Sequence, residues 1–218
     1  MAEPIVTTRW WWIRHAPVDN PERRLYGQND LPARCEGNAC FPPLARALPS
    51  NAVWITSHLQ RTRQTAEAVI PHLVEGHKAP EFIVEPDIAE QHFGKWQGLT
   101  FLELQQHLGD GFADFWRNPA KARPPEGESF SDVIARVGRV VQRLNRTYAG
   151  RDIVAFAHGG SIRAALAHTL GLEPDAALSF QIDNLTLTRL DHVLTHDGNP
   201  APGAMRPWRI SLVNWLPA

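Results

Sequence analysis

Two histidines that directly follow apolar, strand-forming runs are the strongest chemical signal in the sequence. Arg14 and His15 end a run over 5–13, and His158 ends a second run over 152–157. In open α/β sheets, ligands bind at the carboxyl ends of the strands. A neutral imidazole is a competent nucleophile near pH 7, because its unperturbed pKa is about 6.5. The pair predicts phosphoryl transfer, with His15 as the nucleophile and His158 as a hydrogen-bond donor to the phosphoryl group.

Arginines and glycines beside these histidines could hold the phosphoryl oxygens. Arg14 adjoins the first histidine, and Arg61 lies in the first turn of a predicted helix. A cation at a helix N-terminus is unfavourable unless an anion is held beside it. Guanidinium groups offer planar, bidentate donors to a phosphate. Gly159 and Gly160 let backbone N–H groups approach the same anion closely.

A leaving alkoxide needs a proton, and Glu90 is the candidate acid. Partly apolar surroundings favour the neutral form of a carboxylic acid, and Phe93 and Trp96 follow Glu90 closely. The same group would then act as the base for the water that attacks the phosphohistidine. A turn-rich stretch over 16–33 also carries Arg24, which could reach an anion, although a solvated loop charge is an equally good interpretation.

The strands that must position these groups are predicted from hydrophobic periodicity. Trp10 and Trp12 should share one face of the first strand, with Trp11 on the other, because strand side chains alternate. The last two strands alternate polar and apolar residues and could pair at a sheet edge. The predicted strands cover 5–13, 52–56, 82–84, 152–157, 185–190 and 208–215.

Three of the helices expected between the strands bear on the site. The first is capped by Thr56 or Ser57 and runs to about residue 75. The second covers 129–148, and the third follows His158 and runs to about residue 170. On the second helix, three arginines are predicted to lie mostly outside the apolar face. These are Arg136, Arg139 and Arg143.

Composition narrows the class of protein. A length of 218 residues suits a single domain over 1–218. A formal net charge of −1 gives no basic field for nucleic acid or an anionic membrane. No apolar run reaches the roughly 20 residues of a membrane span, and no secretory signal is recognised. The sequence therefore predicts a cytoplasmic protein, and it leaves a homodimer open.

Short motifs along the chain carry a family resemblance. They are Arg14-His15-Ala16-Pro17, Ser57-x-x-x-Arg61, Glu90-x-x-Phe93-Gly94-x-Trp96-x-Gly98, Gly127-Glu128-Ser129 and His158-Gly159-Gly160-x-Ile162-Arg163. Together they resemble the histidine phosphatase superfamily, the phosphoglycerate mutase-like clan, on its phosphatase branch. The resemblance extends to Ile182-Asp183-Asn184. It implies an α/β fold, a three-layer α/β/α sandwich with a mostly parallel central sheet.

The resemblance also implies roles for individual residues. His15 would be the phosphorylated residue, with Arg14, Arg61 and His158 around the phosphate and Glu90 as proton donor. Asn20 matches a position that touches the phosphoryl oxygens in the family. Gly27, within Tyr26-Gly27-Gln28, is similar to α-ribazole phosphatase-like members. Substrate contacts are therefore expected at Asn20, Arg24, Gly27 and Gly159.

The favoured hypothesis is a phosphomonoesterase that acts on a small-molecule phosphate ester without a cofactor or metal. One alternative is a mutase, but the family's mutases carry a long insertion where the span 98–127 is short here. Less cover favours attack by water on the phosphohistidine. A non-catalytic phosphate-binding module would have a damaged nucleophile or acid. A metalloenzyme is disfavoured because the histidines lack the close spacing of a zinc motif.

Overall fold

A central β-sheet organises the molecule. The computed structural model describes residues 4–74, 81–201, 204 and 206–218. The strands in chain order are β1 (Ile5–Arg14), β2 (Ala52–Thr56), β3 (Phe82–Val84), β4 (Asp152–Ala157), β5 (Leu187–Thr195) and β6 (Trp208–Trp215). Their order across the sheet is β3-β2-β4-β1-β5-β6. The first four strands run parallel, β5 is antiparallel to β1, and β6 is antiparallel to β5.

Helices cover both faces of this sheet. They are α1 (Phe41–Ala47), α2 (Gln60–Val69), α3 (Phe101–Leu108), α4 (Gly111–Arg117), α5 (Phe130–Thr147), α6 (Gly159–Leu170) and α7 (Pro174–Ala177). Apolar side chains of α5 and α6 form a core with one face of the sheet, and those of α1 and α2 form a core with the other. The predicted three-layer sandwich with a mostly parallel sheet is confirmed.

The three consecutive tryptophans divide between the two cores as strand alternation predicts. Trp10 and Trp12 are fully buried, and their rings stack with centroids 5.0 Å apart. Trp11 is half-buried on the opposite face. Burying large aromatic side chains on both faces fixes β1 at the centre of the molecule, so the residues that follow it are firmly placed.

One strand prediction was wrong in its bounds. The predicted strand over 185–190 is observed as Leu187–Thr195, because β5 pairs along β1 from Ile5 to Ile13. Full-length pairing with a central strand satisfies backbone groups well beyond the apolar alternation that was used to predict it. The last two strands pair as predicted, but only β6 of the two lies at a sheet edge, since β5 lies between β1 and β6.

The second predicted helix is observed with nearly its expected bounds. Ser129 caps α5 by accepting a hydrogen bond from the backbone of Asp132, whose side chain accepts in return from the backbone of Ser129. The first predicted helix is shorter than expected, since α2 ends at Val69 and a single 3₁₀ turn over Ile70–His72 follows. Its predicted end near residue 75 lies outside the described residues.

Candidate active site

The two histidines meet because their strands are parallel neighbours in register. Arg14 of β1 lies opposite Ala157 of β4, and the backbone N–H of His15 donates to the carbonyl of Ala157 at 3.0 Å. His15 directly follows Arg14, and His158 directly follows Ala157. Their rings lie with centroids 5.2 Å apart and planes tilted by 58°. Both side chains are fully buried, so the sheet register alone brings two imidazoles to one point.

Hydrogen bonding fixes the tautomer of His15. Its Nδ1 lies 2.7 Å from the carbonyl oxygen of Ala16, which can only accept, so Nδ1 carries the proton. Its Nε2 is buried without a hydrogen-bond partner and therefore presents a lone pair. Burial is the main cause that lowers the pKa of His15 to about 3, and the positive charges of Arg61 and Arg14 act in the same direction. The imidazole is neutral at pH 7.

His158 is held at both ring nitrogens. Its Nε2 lies 2.8 Å from the hydroxyl of Ser57, and its Nδ1 accepts from Nε of Arg61 at 3.3 Å. Burial, followed by the charges of His15 and Arg61, lowers its pKa well below the usual value. Donation from Nδ1 to a phosphoryl oxygen, as predicted, requires that oxygen to replace Arg61 Nε. Because a hydroxyl can donate or accept, Ser57 can serve either tautomer.

The predicted arginines surround the two rings. Arg14 donates from Nη1 to the carbonyl of Ile182 at 2.6 Å, while its buried Nε has no partner. Arg61 is fully buried, and it donates to the carbonyls of Asn29 at 2.9 Å and Gly27 at 2.6 Å. We call Arg14, His15, Arg61 and His158 the histidine pocket. A buried donor and a buried acceptor left open in one pocket indicate a ligand.

Glu90 closes one side of the histidine pocket. Its Oε1 accepts hydrogen bonds from the backbone N–H of Gln91 at 2.9 Å and of Gly160 at 3.0 Å. The carboxylate therefore lies over the first turn of α6, where the helix dipole favours an acidic group. Any side chain at Gly160 would displace this carboxylate, because its Cβ would lie 2.1 Å from Oε1 of Glu90.

A cleft of about 340 Å³ opens from Glu90 and Gly160. Its walls are mainly apolar, and the segment over 90–96, the end of α4 and the loop after α4 supply much of the lining. We call it the aromatic cleft, after the rings that line it. These rings belong to Phe93, Trp96, Phe115, Trp116 and Phe130.

Gly27 and Gly159 adjoin the histidine pocket. The carbonyl of Gly27 accepts a hydrogen bond from Arg61. A side chain at Gly27 is excluded, because φ is +45° and a Cβ would lie 2.6 Å from Oε1 of Gln97. Gly159 begins α6, and a Cβ there would lie 3.7 Å from Nε of Arg14. The backbone at Gly159 is thus beside the unpartnered donor, as the prediction of an anion at this helix start requires.

Asn20 and Arg24 lie elsewhere. The amide of Asn20 bonds the backbone of Arg24 in both directions, each at 2.9 Å. The guanidinium of Arg24 is paired with Glu22 and Glu103. Both residues line a smaller cavity of about 270 Å³ that Tyr26 also lines. The side chains thus hold their own loop, and their contact with substrate stays a prediction.

The role predicted for Ser57 was wrong. It was expected to cap α2, but Leu59 is the residue at the N-cap, and the Ser57 hydroxyl bonds His158 instead. Its place four residues before Arg61 in a motif was the available signal. Asn184, whose amide donates to the carbonyl of His15 at 2.7 Å, also falls within a stretch that carries the family resemblance.

Arg136 was predicted to lie outside the apolar face of α5, on its solvent side. This prediction was wrong, since the residue is only 8% exposed. Its guanidinium makes a bidentate pair with Glu128 at 2.9 and 3.0 Å and donates to the carbonyl of Glu90 at 3.0 Å. A buried guanidinium is tolerated when its charge is paired and its donors are satisfied. Arg136 therefore fixes the backbone that carries Glu90.

Among the residues that the structure describes, no group of three or more histidine, cysteine, aspartate and glutamate side chains could hold a metal ion. Within the same residues, no helix has the length and apolar character needed to cross a bilayer.

A doubly covered sheet with two facing histidines and flanking arginines at its carboxyl edge defines an α/β enzyme of phosphate-ester chemistry. The chain belongs to the histidine phosphatase superfamily (branch 1), whose family model matches residues 10–199. The family resemblance and the class of enzyme predicted from the motifs are thereby confirmed.

Relatives within the family include a phosphatase and a mutase. Glucosyl-3-phosphoglycerate phosphatase of Mycolicibacterium vanbaalenii is 30% identical over 93% of this chain and 92% of its own. A 2,3-bisphosphoglycerate-dependent phosphoglycerate mutase of Gloeobacter violaceus is 31% identical over 83% of this chain and 84% of its own. A solved structure named mycobacterial hydrolase 2 superposes with a TM-score of 0.79, at 26% identity, over 98% of this chain and 93% of that one.

Proposed function

We propose that this chain is a phosphomonoesterase that hydrolyses a small-molecule phosphate ester through a phosphohistidine on His15. The observation that carries the proposal is the buried, unpartnered Nε2 of His15. Its lone pair is fixed by the bond from Nδ1 to Ala16, and the lowered pKa keeps it free of a proton at pH 7. A nucleophile must be unprotonated, aimed and accessible to its substrate, and Nε2 meets the first two requirements before any substrate binds.

In the first step, Nε2 of His15 attacks phosphorus as the bond from phosphorus to the ester oxygen breaks. Nε of Arg14 and the backbone at Gly159 are available to donate to the equatorial oxygens, and Arg61 adds its buried charge. Glu90 gives its proton to the leaving oxygen, which departs as an alcohol. Oε1 accepts from Gln91 and Gly160, whereas Oε2 accepts only the longer bond from Gly160 at 3.2 Å, so Oε2 is the oxygen more available to the leaving group.

In the second step, water attacks the phosphohistidine. Glu90, now a carboxylate, accepts a proton from that water as its oxygen bonds to phosphorus. The bond from phosphorus to Nε2 breaks, and inorganic phosphate is released with His15 again neutral. His158 donates to the phosphoryl group in both steps through the tautomer that Ser57 can support.

Trapping the intermediate tests the proposal. The enzyme is mixed with p-nitrophenyl phosphate, quenched in base within milliseconds, digested and analysed by mass spectrometry. A phosphoryl group on the peptide that contains His15 is expected, together with release of inorganic phosphate during turnover. Turnover by a His15→Ala variant at the rate of the unaltered chain would overturn the assignment of the nucleophile.

A mutase is the second candidate, because a phosphoglycerate mutase is 31% identical to this chain. Incubation with 3-phosphoglycerate separates the two activities. A phosphatase releases inorganic phosphate, whereas a mutase returns the isomer with phosphate on the neighbouring hydroxyl. A binding module without catalysis would produce neither. We expect free phosphate, since the aromatic cleft leaves an open route for water.

The remaining predictions concern the setting of this activity. The formal net charge of −1 supports a protein that does not bind nucleic acid, and the cytoplasmic location stays a prediction. One domain over 1–218 and a homodimer also stay predictions. Size-exclusion chromatography with light scattering measures the mass in solution and decides between monomer and dimer.

A further inference from the structure

The aromatic cleft is placed to receive the leaving group. Glu90 and Gly160 form part of its lining and also adjoin the histidine pocket. When Glu90 gives its proton to the ester oxygen, the group attached to that oxygen must extend from Glu90. The cleft opens from Glu90, and its volume of about 340 Å³ lies in the range of small-molecule sites.

The lining of the cleft is chemically distinct from that of the histidine pocket. Rings of Trp96 and Phe115 lie edge to face at 5.3 Å, and Phe115 and Trp116 at 5.2 Å. Leu178 and the prolines at 119 and 124 extend the apolar surface. Such walls gain free energy by covering apolar area of a ligand, and apart from Glu90, Gln91 and Arg163 they offer the hydroxyls of a sugar few partners.

Charge in the cleft is balanced rather than cationic. Its charged lining residues, among those described, are Glu90 and Arg163. Arg163 donates from Nε to the carbonyl of Phe180 at 2.7 Å, and the carboxylate of Asp183 offsets its charge even while Glu90 carries the proton. A substrate with a carboxylate or a second phosphate needs an uncompensated cation beside the leaving group. Arg24, in the neighbouring cavity, is itself neutralised by two carboxylates.

The apolar surface also continues out of the cleft. Trp116 is 50% exposed, and its ring contacts those of Phe101 at 5.6 Å and Phe112 at 6.1 Å. Phe101 is itself 49% exposed, and its neighbour Leu102 is 63% exposed. Contiguous exposed apolar surface on a soluble fold indicates a binding surface. The outer rings thus lengthen the cleft for a leaving group longer than one ring.

We propose, on the basis of the proposed function, that the leaving group of the substrate is apolar, either aromatic or a long alkyl chain, and is bound in the aromatic cleft. The substrate class is therefore a phosphate monoester of an apolar alcohol or phenol. Selectivity for it comes from burial of the leaving group between Phe93, Trp96 and Trp116.

A pair of alkyl phosphates isolates this effect. Ethyl and n-hexyl phosphate have leaving alcohols of nearly the same acidity, so protonation by Glu90 contributes equally to both. Each buried methylene is worth roughly a fourfold gain. Because the cleft is partly open, we expect kcat/KM for n-hexyl phosphate to exceed that for ethyl phosphate by at least about tenfold, measured as released phosphate.

Matched tryptophan variants locate the effect. Trp116→Ala should lower the ratio of kcat/KM for hexyl over ethyl phosphate at least about threefold, and Trp116→Phe should restore most of it. Trp215→Ala serves as the control, because Trp215 is 42% exposed on β6 and does not line the cleft. Its ratio should equal that of the unaltered chain.

The outcomes separate the two proposals. Equal kcat/KM for ethyl and hexyl phosphate, or a higher value for 3-phosphoglycerate than for either, would overturn the apolar leaving group while phosphate release upheld the phosphatase. An unchanged ratio of hexyl to ethyl kcat/KM in Trp116→Ala would mean that the apolar site lies elsewhere. The assignment of the leaving group to the aromatic cleft would then be overturned. Absence of phosphate release from every ester would overturn both proposals.

Discussion

The histidine pocket and the aromatic cleft share Glu90 as a boundary but are built in opposite ways. The pocket consists of charged or titratable side chains that are fixed by the register of β1 and β4 and by bonds to backbone carbonyls. The cleft is lined by rings from the segment over 93–96, from α4 and from the first residue of α5, all outside the sheet, and Trp116 is half exposed.

This contrast assigns separate tasks to the two regions. A sheet register can change only by moving a buried strand to another pairing, so the pocket holds one geometry for one reaction. Helices and loops outside the sheet tolerate substitution and insertion without disturbing that register. Reaction type therefore resides in the strand ends, whereas choice of leaving group resides in the segment from Phe93 to Phe130.

Loss of His15 should break the pocket for every substrate. We expect His15→Ala to lower kcat for p-nitrophenyl and alkyl phosphates alike by about 10⁴-fold or more, because no other described group offers a free lone pair there. The measurement is steady-state release of phosphate. Circular dichroism and thermal melting provide the control, since the fold should survive. A loss confined to alkyl esters would assign His15 to the leaving group instead.

Glu90 lies at the boundary, so its replacement should discriminate between substrates. Glu90→Gln keeps an oxygen that can accept from Gly160 but cannot supply a proton. We expect kcat/KM to fall by about 10²–10³-fold for ethyl phosphate. For p-nitrophenyl phosphate the loss should be under about tenfold, because that leaving group departs without a proton. Equal losses for both esters would contradict the acid role.

The two regions should also differ in how stability responds to pH. The pKa of His15 is about 3 in the folded chain, against an ordinary value of 6.5, so between these values the unfolded chain binds more protons. Stability therefore rises with pH across this window, and His15 contributes at most about 1.4 kcal/mol per pH unit. Urea unfolding between pH 4 and 6.5 should show a shallower slope in His15→Gln.

Trp116→Ala is the matched control for the slope, because the described lining of the aromatic cleft contains no histidine. Its free energy of unfolding should shift by a constant amount at every pH. Parallel curves for His15→Gln and the unaltered chain would contradict the neutral, buried imidazole. A changed slope in Trp116→Ala would show that the two regions are not separable.

The same division explains what the sequence could predict. His15 and His158 were found because each ends an apolar run, and parallel strands then bring their ends together. Helical periodicity, in contrast, wrongly predicted that Arg136 faces solvent from α5. Its partners are Glu128 and a carbonyl of the loop at Glu90, which meet it only in the tertiary structure. Periodicity within one helix cannot predict an ion pair whose partners come together only in the folded chain.

Replacement of Ser57 tests how strongly the reaction depends on the position of the His158 ring, and its expected effect is the smallest. Its hydroxyl bonds Nε2 of His158 but touches no reacting atom, so it acts by positioning that ring and supporting its tautomer. Ser57→Ala should lower kcat by about three- to tenfold, close to the value of one neutral hydrogen bond, with KM little changed. Ser57→Thr keeps the hydroxyl and should recover most of the loss.

The ratio of hexyl to ethyl phosphate turnover then shows on which region Ser57 acts. If the strand ends alone set the reaction, Ser57→Ala slows both esters equally and leaves that ratio unchanged, whereas Trp116→Ala changes the ratio. A lowered ratio in Ser57→Ala would mean that the orientation of the His158 ring affects binding of the leaving group, through Glu90 and Gly160. The pocket and the cleft would then be one coupled site, and the separation of reaction from selectivity would fail.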